Sequence, residues 1–332
     1  MGINEIFYFL KKCKILVIGD LILDHYISGV VERISPEAPI QVLDMKEESF
    51  RLGGAANVAK NISSFIENVG LCGVIGKDDN GKYFKKTLLE SNIIPSCILE
   101  DQSQPSRPTT IKTRFIANGN HLLRVDSEKK EPISKDISDK IASFVSHNIN
   151  SYDSIIVSDY AKGVLSEELW KKIIQTAKNH DKKVFVGPKG KDWSKYKNAC
   201  FLSANRSETQ LATGLNLCNK EEISKAGQML IEKLDLEAML ITLGADGIHL
   251  VTKETELNVL AEAKEVFDVA GAGDTVLAMA SLAITAGASW KAAITLANVA
   301  AGIVVGKIGV ATASFDEIEK KLASSKLLSM FQ

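Results

Sequence analysis

"KILVIGD", residues 14–20, is a short apolar run with three β-branched residues that stops at a Gly-Asp pair. A run this short and this apolar reads as a buried strand. "GGAANVAKNISSFIENVG" (53–70) then reads as a Gly turn opening a helix. Strand-like runs recur at "VGLCGVIG", "DSIIVSD", "KKVFVG", "ACFLSA" and "AMLITLG". Helical stretches lie between most of them, at 135–149, 165–179 and 220–234. Strands alternating with helices predict an α/β fold whose parallel sheet is covered on both faces.

Two stretches break the rhythm. Residues 27–51 hold two prolines and no helical pattern. Residues 108–127 read as a hairpin, because "IKTRFIA" and "HLLRVD" flank "NGN" and Asn-Gly between strand-like runs is a strong hairpin signal. Together they predict one small antiparallel sheet standing off the main body. Its apolar face must close on a ligand or a second subunit. In the last third, "DTVLAMASLAITAG" and "SWKAAITLANVAAGIVVGKIG" read as two helices buried over much of their surface.

Composition narrows the function classes. The 332 residues carry a formal net charge of -1, with 45% hydrophobic and 24% charged residues, as a soluble globular protein does. The densest basic stretches, around Lys195 and Lys197, are balanced by nearby acids, and no basic stripe interleaves with aromatics. Nucleic acid is therefore not an expected partner. The best membrane candidate, 276–286, is interrupted by Ser281 and Thr285 and stopped by Gly287, so no membrane span is expected. Five cysteines without a C-x-x-C pair, and an N-terminus without a signal-peptide pattern, suit a reducing cytoplasm. The five histidines fit neither metal ligation nor a Ser/His/Asp arrangement.

Several turns could carry chemistry. In "DVAGAGDTV" (268–276), Gly271, Ala272 and Gly273 sit where a helix begins, so their free amides and the helix dipole make an anion site with Asp274 beside it. Taken alone, Asp274 is equally an ordinary N-cap. In "RLGGAANVAKN" (51–61), Gly53 and Gly54 allow close backbone approach and Asn57 can bond hydroxyls, or the stretch is simply a tight helix start. In "NRSE" (205–208), Asn205 and Glu208 could hold the waters of Mg²⁺, or they form a capping box. "ITLGADGIHL" (241–250) reads as strand, Gly turn, strand. Lys189 in "GPKG", and Asp159 and Lys162 in "SDYAKG", either reach a phosphate or are solvated.

The order of these turns resembles the ribokinase-like (PfkB) family of carbohydrate kinases over about residues 14–325. Within it, "RISPEAP" (33–39), "GGAANVAKNI", "SDYAKG" and "PKG" resemble the kinases of D-glycero-β-D-manno-heptose 7-phosphate. The resemblance implies a single doubly wound α/β kinase domain over 1–332, with a β lid from about 27–51 and 108–127. It also implies a homodimer through the lids, ATP, Mg²⁺ and K⁺, and phosphorylation of the sugar's C1 hydroxyl on the way to ADP-heptose and the lipopolysaccharide core. No histidine lies in an H-x-G-H motif, so a following nucleotidyltransferase unit is not expected in this stretch.

By the same resemblance, Asp274 is the general base and the amides of Gly271, Ala272 and Gly273 hold the γ-phosphate charge. Lys189, and Lys162 with it, neutralises phosphate. Asn205 and Glu208 organise Mg²⁺ through water, Thr242, Gly244 and Gly247 line the nucleotide, and Asn298 lies near the adenine. Asp24, Gly53, Gly54 and Asn57 hold the sugar, and Arg33, Arg114 and Arg124 are the candidates for its phosphate. Asp268 and the carbonyl of Ala270 form the monovalent cation loop. The chain departs from the family pattern at Ala270 (usually Thr), Gly187 (usually Asp) and Ala204 (usually Pro). A kinase for another sugar, or a weakly catalytic sugar-phosphate-binding regulatory protein, are the alternatives. A Rossmann dehydrogenase fails because "VIGDLILD" has no G-x-G-x-x-G.

Overall fold

The run at 14–20 is the first third of one 21-residue strand, β1 (Lys14–Ile34), that serves two sheets. This is a computed structural model, and it describes residues 1–102, 105–261, 268–307, 311–324, 327 and 331. The other strands are β2 (Gln41–Gly54), β3 (Asn68–Gly76), β4 (Ile94–Asp101), β5 (Thr110–Ala117), β6 (Asn120–Ser127), β7 (Ser154–Ser158), β8 (Lys183–Gly187), β9 (Phe201–Asn205), β10 (Ala238–Thr242), β11 (Ile248–Thr252) and β12 (Glu256–Val259).

The main sheet runs β4-β3-β1-β7-β8-β9-β10-β11-β12. It is parallel through β10, and the last two pairings are antiparallel. The chain winds outward one way from β1 and then the other, so β1 and β7 flank the point where strand order reverses. Ligands bind outside the carboxyl ends of strands at such a point. The helices lie on both faces. Ile15 and Val17 join one core with helices Ala55–Ser63, Ala272–Thr285 and Trp290–Val304, whereas Leu16 and Ile18 join the other with Lys135–Asn148, Glu167–Asn179 and Lys220–Leu234. A strand buried on both faces is apolar at every position, and that is why 15–18 shows no alternation.

Past Asp20, β1 leaves the main sheet and becomes the spine of the lid, ordered β2-β1-β5-β6. β1–β2 and β5–β6 pair antiparallel, as expected, but the junction β1–β5 is parallel. The hairpin turn is Asn118 (φ 50°) and Gly119 (φ 80°), the two left-handed residues of a two-residue turn. The lid has two unlike faces. Asp24, Lys112 and Asp126 lie in register, as do Tyr26, Arg114 and Arg124, so one face is charged. The other face carries Ile27, Phe115, Leu123 and Val125, and Leu123 and Val125 are exposed.

Candidate active site

Ser158, Gly187, Asn205 and Thr242 are the last residues of β7, β8, β9 and β10, and all four line one cavity of about 280 Å³. Gly271, Gly273 and Asp274, at the start of helix Ala272–Thr285, line it from the other side. Gly271 has φ 82°, a left-handed conformation that glycine adopts without strain, and it lets the chain turn sharply into the helix.

Asp274 is not a cap. Gly271 holds the N-cap position and no side chain caps the helix. The Asp274 carboxylate instead accepts from Asn57 Nδ2 at 2.7 Å and from the Tyr160 hydroxyl at 2.8 Å. Asn57 is fixed in turn by the packing of helix Ala55–Ser63 on helix Ala272–Thr285. Asn61, one turn on, donates to the Asn57 carbonyl at 2.9 Å and accepts from Thr275 Oγ1 at 2.8 Å. Burial pushes the Asp274 carboxyl up to about 6, against the pull of these two hydrogen bonds and of Lys189. The amides of the first helical turn have no acceptor within the helix, which leaves a positive end beside the carboxylate. Of the three named in that turn, Ala272 N–H already donates to the Val269 carbonyl at 3.3 Å.

Across the cavity, Asn205 and Glu208 do form the capping box. Glu208 N–H donates to Asn205 Oδ1 at 2.8 Å and Asn205 N–H to Glu208 Oε2 at 2.9 Å. Lys189 Nζ pairs with the other Glu208 oxygen. Both residues still border the cavity, so capping does not remove them from it. These hard oxygen donors suit the water shell of Mg²⁺. They do not form a direct cage, because both Glu208 oxygens already have partners. Among the described residues no group of three or more His, Cys, Asp and Glu is arranged around a metal site.

The loop after β7 was only partly legible. Asp159 and Lys162 stood out in "SDYAKG", but Tyr160 did not. The buried Asp20 carboxylate holds this loop, accepting from the amides of Tyr160 (2.7 Å), Lys162 (3.0 Å) and Val164 (3.2 Å). Asp159 accepts from Ala161 N–H (2.7 Å), Lys195 Nζ (2.6 Å) and the Tyr196 hydroxyl (2.8 Å). Ala161 sits at φ 55°, a conformation that costs a residue with a side chain about 1 kcal/mol or more. Burial and the neighbouring Asp274 carboxylate hold the Tyr160 phenol well above its usual value, so it stays protonated and donates. Lys162 Nζ points away to Glu128, 2.5 Å off, just past the end of β6, and so ties the loop to the lid.

The charged face of the lid looks into the site. Lys112 Nζ stands 5.3 Å from the centre of the Tyr160 ring, and Lys189 Nζ 5.5 Å. Arg114 pairs with Asp24, and Arg51 and Arg114 both lie over the Tyr26 ring. A Cβ on Gly53 would fall 2.3 Å from Asp24 Oδ2, so a glycine there leaves the room this carboxylate occupies. Lys112 and Arg51 were missed, although Lys112 and Arg114 two residues apart in "IKTRFIA" are a period-two signal for one face.

Other expected residues lie further out. Arg33 is exposed at the far end of the lid, opposite Val42. Arg124 pairs with Asp126 on the exposed strand β6. Gly244 (φ 63°) and Gly247 (φ 87°) bound the turn between β10 and β11. Gly54 (φ 59°) is the N-cap of helix Ala55–Ser63. Asn298 is buried and donates to the Leu260 carbonyl at 2.7 Å. Asp268 Oδ1 accepts from Ala270 N–H at 2.8 Å in the turn before Gly271. At Gly187 a Cβ would meet only the end of Leu277, at 2.8 Å.

A carboxylate at the positive end of a helix, facing a lysine and a carboxylate-capped strand end beyond the carboxyl ends of a doubly wound sheet, is an arrangement suited to phosphoryl transfer. Residues 12–317 match the pfkB family carbohydrate kinase, and the chain belongs to that family. It is therefore a carbohydrate kinase, a phosphotransferase. It is 46% identical over 308 residues to the bifunctional protein HldE of Helicobacter hepaticus (strain ATCC 51449 / 3B1), covering 93% of this chain and 63% of that protein. With the bifunctional protein HldE of Helicobacter pylori (strain J99 / ATCC 700824) the identity is 47%, covering 92% and 65%. The chain thus spans a little under two thirds of these relatives' length. In fold it is similar to Arabidopsis thaliana ribokinase complexed with ribose and ATP (TM-score 0.73, 19% identity, 94% of this chain and 99% of that one). It is also similar to Escherichia coli phosphofructokinase-2 in complex with potassium (TM-score 0.77, 18% identity, 96% and 99%). No described helix is long and apolar enough to cross a membrane.

Proposed function

We propose that this kinase transfers the γ-phosphoryl group of ATP to the C1 hydroxyl of D-glycero-D-manno-heptose 7-phosphate, giving the 1,7-bisphosphate used in ADP-heptose and lipopolysaccharide core synthesis. The observation that carries it is the opposition of two charged surfaces: the Asp274 carboxylate at the helix mouth, and the lid face with Lys112, Arg114 and Arg51 across from it. An acceptor that is itself a phosphate ester suits a cationic lid. The similarity to the HldE proteins supports the choice of sugar.

In this reading Asp274 takes the proton of the C1 hydroxyl as that oxygen bonds to phosphorus and the bond to the ADP oxygen breaks. The free amides at Gly271 and Gly273, with Lys189, hold the charge that gathers on the transferring group. Asp24, with Gly53 and Gly54 behind it, orients the sugar hydroxyls. Asn57 holds the base and borders the sugar. Asn205 and Glu208 would hold Mg²⁺ through its waters, where it neutralises phosphate charge. Asp268 and the Ala270 carbonyl would hold a monovalent cation such as K⁺. The turn at Thr242, Gly244 and Gly247 receives the nucleotide, and Asn298 shapes its adenine end through Leu260.

The chain works as one domain closed by its lid. The exposed apolar lid face, with Leu123 and Val125, is the surface through which two copies would pair. ADP release is the test, measured with ATP, Mg²⁺ and K⁺ against heptose 7-phosphate, fructose 6-phosphate and ribose. Heptose 7-phosphate is turned over fastest. Faster turnover of fructose 6-phosphate refutes the choice of sugar.

A further inference from the structure

Tyr160 is the one donor to Asp274 that comes from a strained, heavily braced loop. Its ring is crossed by cations from two directions in the chain, Lys112 on the lid and Lys189 after β8. Its backbone is held by Asp20 and its neighbour Ala161 by Asp159. Asp20 is 1% exposed and Asp159 2% exposed, so two acids are buried to shape five residues. Such strain persists only where the surroundings enforce it, and it collects at working sites. What the bracing produces is one contact, the Tyr160 hydroxyl on Asp274 Oδ1 at 2.8 Å.

We propose that Tyr160 is a positioning residue for phosphoryl transfer: with Asn57 it pins the Asp274 carboxylate in the plane and the ionised state in which it receives the acceptor's proton. The inference rests on Asp274 being the base, but not on which sugar is the acceptor. The acceptor O–H breaks and its proton moves to Asp274. Tyr160 keeps its own proton throughout, because its hydrogen bond is to the carboxylate and its phenol ionises well above the usual value. The groups facing Asp274 are Asn57, Tyr160, Lys189 and Asp24. Those facing Tyr160 are Asp274, Lys112, Lys189, Asp24 and Glu208. Of the contacts on the carboxylate, the hydrogen bonds from Tyr160 and Asn57 and the charge of Lys189 favour the ionised form, and burial and Asp24 oppose it. Deleting the Tyr160 hydroxyl therefore moves the ionisation of Asp274 to higher pH.

The test uses Tyr160→Phe, which keeps the ring under both lysines. kcat falls by about 10- to 100-fold, the worth of one hydrogen bond to a charged group, while KM for ATP is unchanged. The acid limb of kcat/KM and the titration of the Asp274 carboxyl carbon, followed by ¹³C NMR without any sugar, both move to higher pH. A kcat like wild type overturns the proposal, and so does a lower kcat with an unmoved titration. Replacing Tyr160 with 3-fluorotyrosine keeps the fold and strengthens the donor, so the Asp274 titration moves to lower pH. No movement, or movement upward, overturns the proposal. Failure of the heptose assignment would show separately, as wild-type enzyme that ignores heptose 7-phosphate while its Asp274 titration still responds to residue 160.

Discussion

Two turns meet at one carboxylate, and they are built in opposite ways. Residues 268–274 are shaped locally: Gly271 supplies the left-handed residue, the helix supplies its positive end, and Asp274 rides on the first helical turn. Residues 159–163 are shaped from afar. Their main support is Asp20, about 140 residues earlier, and the loop carries a left-handed alanine that glycine would tolerate better. The first turn brings the carboxylate, and the second brings a hydroxyl that bonds to it. A turn whose geometry is written in its own residues is readable as a motif, whereas one enforced by buried side chains elsewhere is not.

The largest effect expected from breaking the first turn's function is that of Asp274→Asn. kcat falls by about 10²–10⁴-fold, the usual range for a general base. Stability moves the other way. The Asp274 carboxyl ionises at about 6 in the folded protein, against about 3.9 for an unfolded aspartate. Between those two values the folded state holds a proton that the unfolded state has lost, so stability falls as pH rises through the window. Above it the full cost of a buried charge remains. Asp274→Asn removes that cost, and the Tyr160 hydroxyl can turn to accept from the new amide N–H as backbone amides cannot, so the variant melts higher than wild type at pH 7. The gap closes as pH falls towards 4. Thermal melts across that range check the sign, and a variant melting lower at pH 7 contradicts it.

Breaking the second turn costs less activity and more stability. Asp20→Asn turns one acceptor into a donor that faces backbone amides, and each amide left without an acceptor costs about 1–3 kcal/mol. The urea midpoint drops, and kcat falls with it because Tyr160 loses its brace. A variant that is destabilised yet keeps wild-type kcat would separate the loop from the base. Smaller still is Lys162→Met, which leaves Glu128 with Lys130 at 3.5 Å. The loss is about 1 kcal/mol, between exposed and fully buried pairs. It appears as a raised KM for the sugar with little change in kcat, since the link joins lid and loop rather than loop and base.

The same contrast explains what the sequence disclosed. The interior strands were legible because burial on two faces leaves runs such as "KILVIGD" and "DSIIVSD" apolar throughout. β4 and β12, at the two edges, were not: "IPSCILED" and "ELNV" are half-exposed and lack such a run. The lid was visible as a break in rhythm, but not as the continuation of β1, because a strand that passes from a two-sided core to a one-sided sheet changes pattern midway. Asp274, Lys189, Asn205 and Glu208 stand by strand ends or a helix start, where turn residues alone left a capping or solvated reading open and only the order of the turns singled them out. Asn57 had a ligand reading but not its contact with Asp274, and Tyr160 had no reading at all, since neither hydrogen bond leaves a local signature.

The central claim is that Asp274, ionised and held by Asn57 and Tyr160, takes the acceptor's proton. kcat/KM measured against pH tests it most directly, because it reports the ionisation of the free enzyme. Wild-type enzyme should rise through an acid limb centred near 6 and level off above it. Asp274→Asn should show only a low rate without that limb, and an acid limb that survives unchanged in Asp274→Asn would contradict the claim.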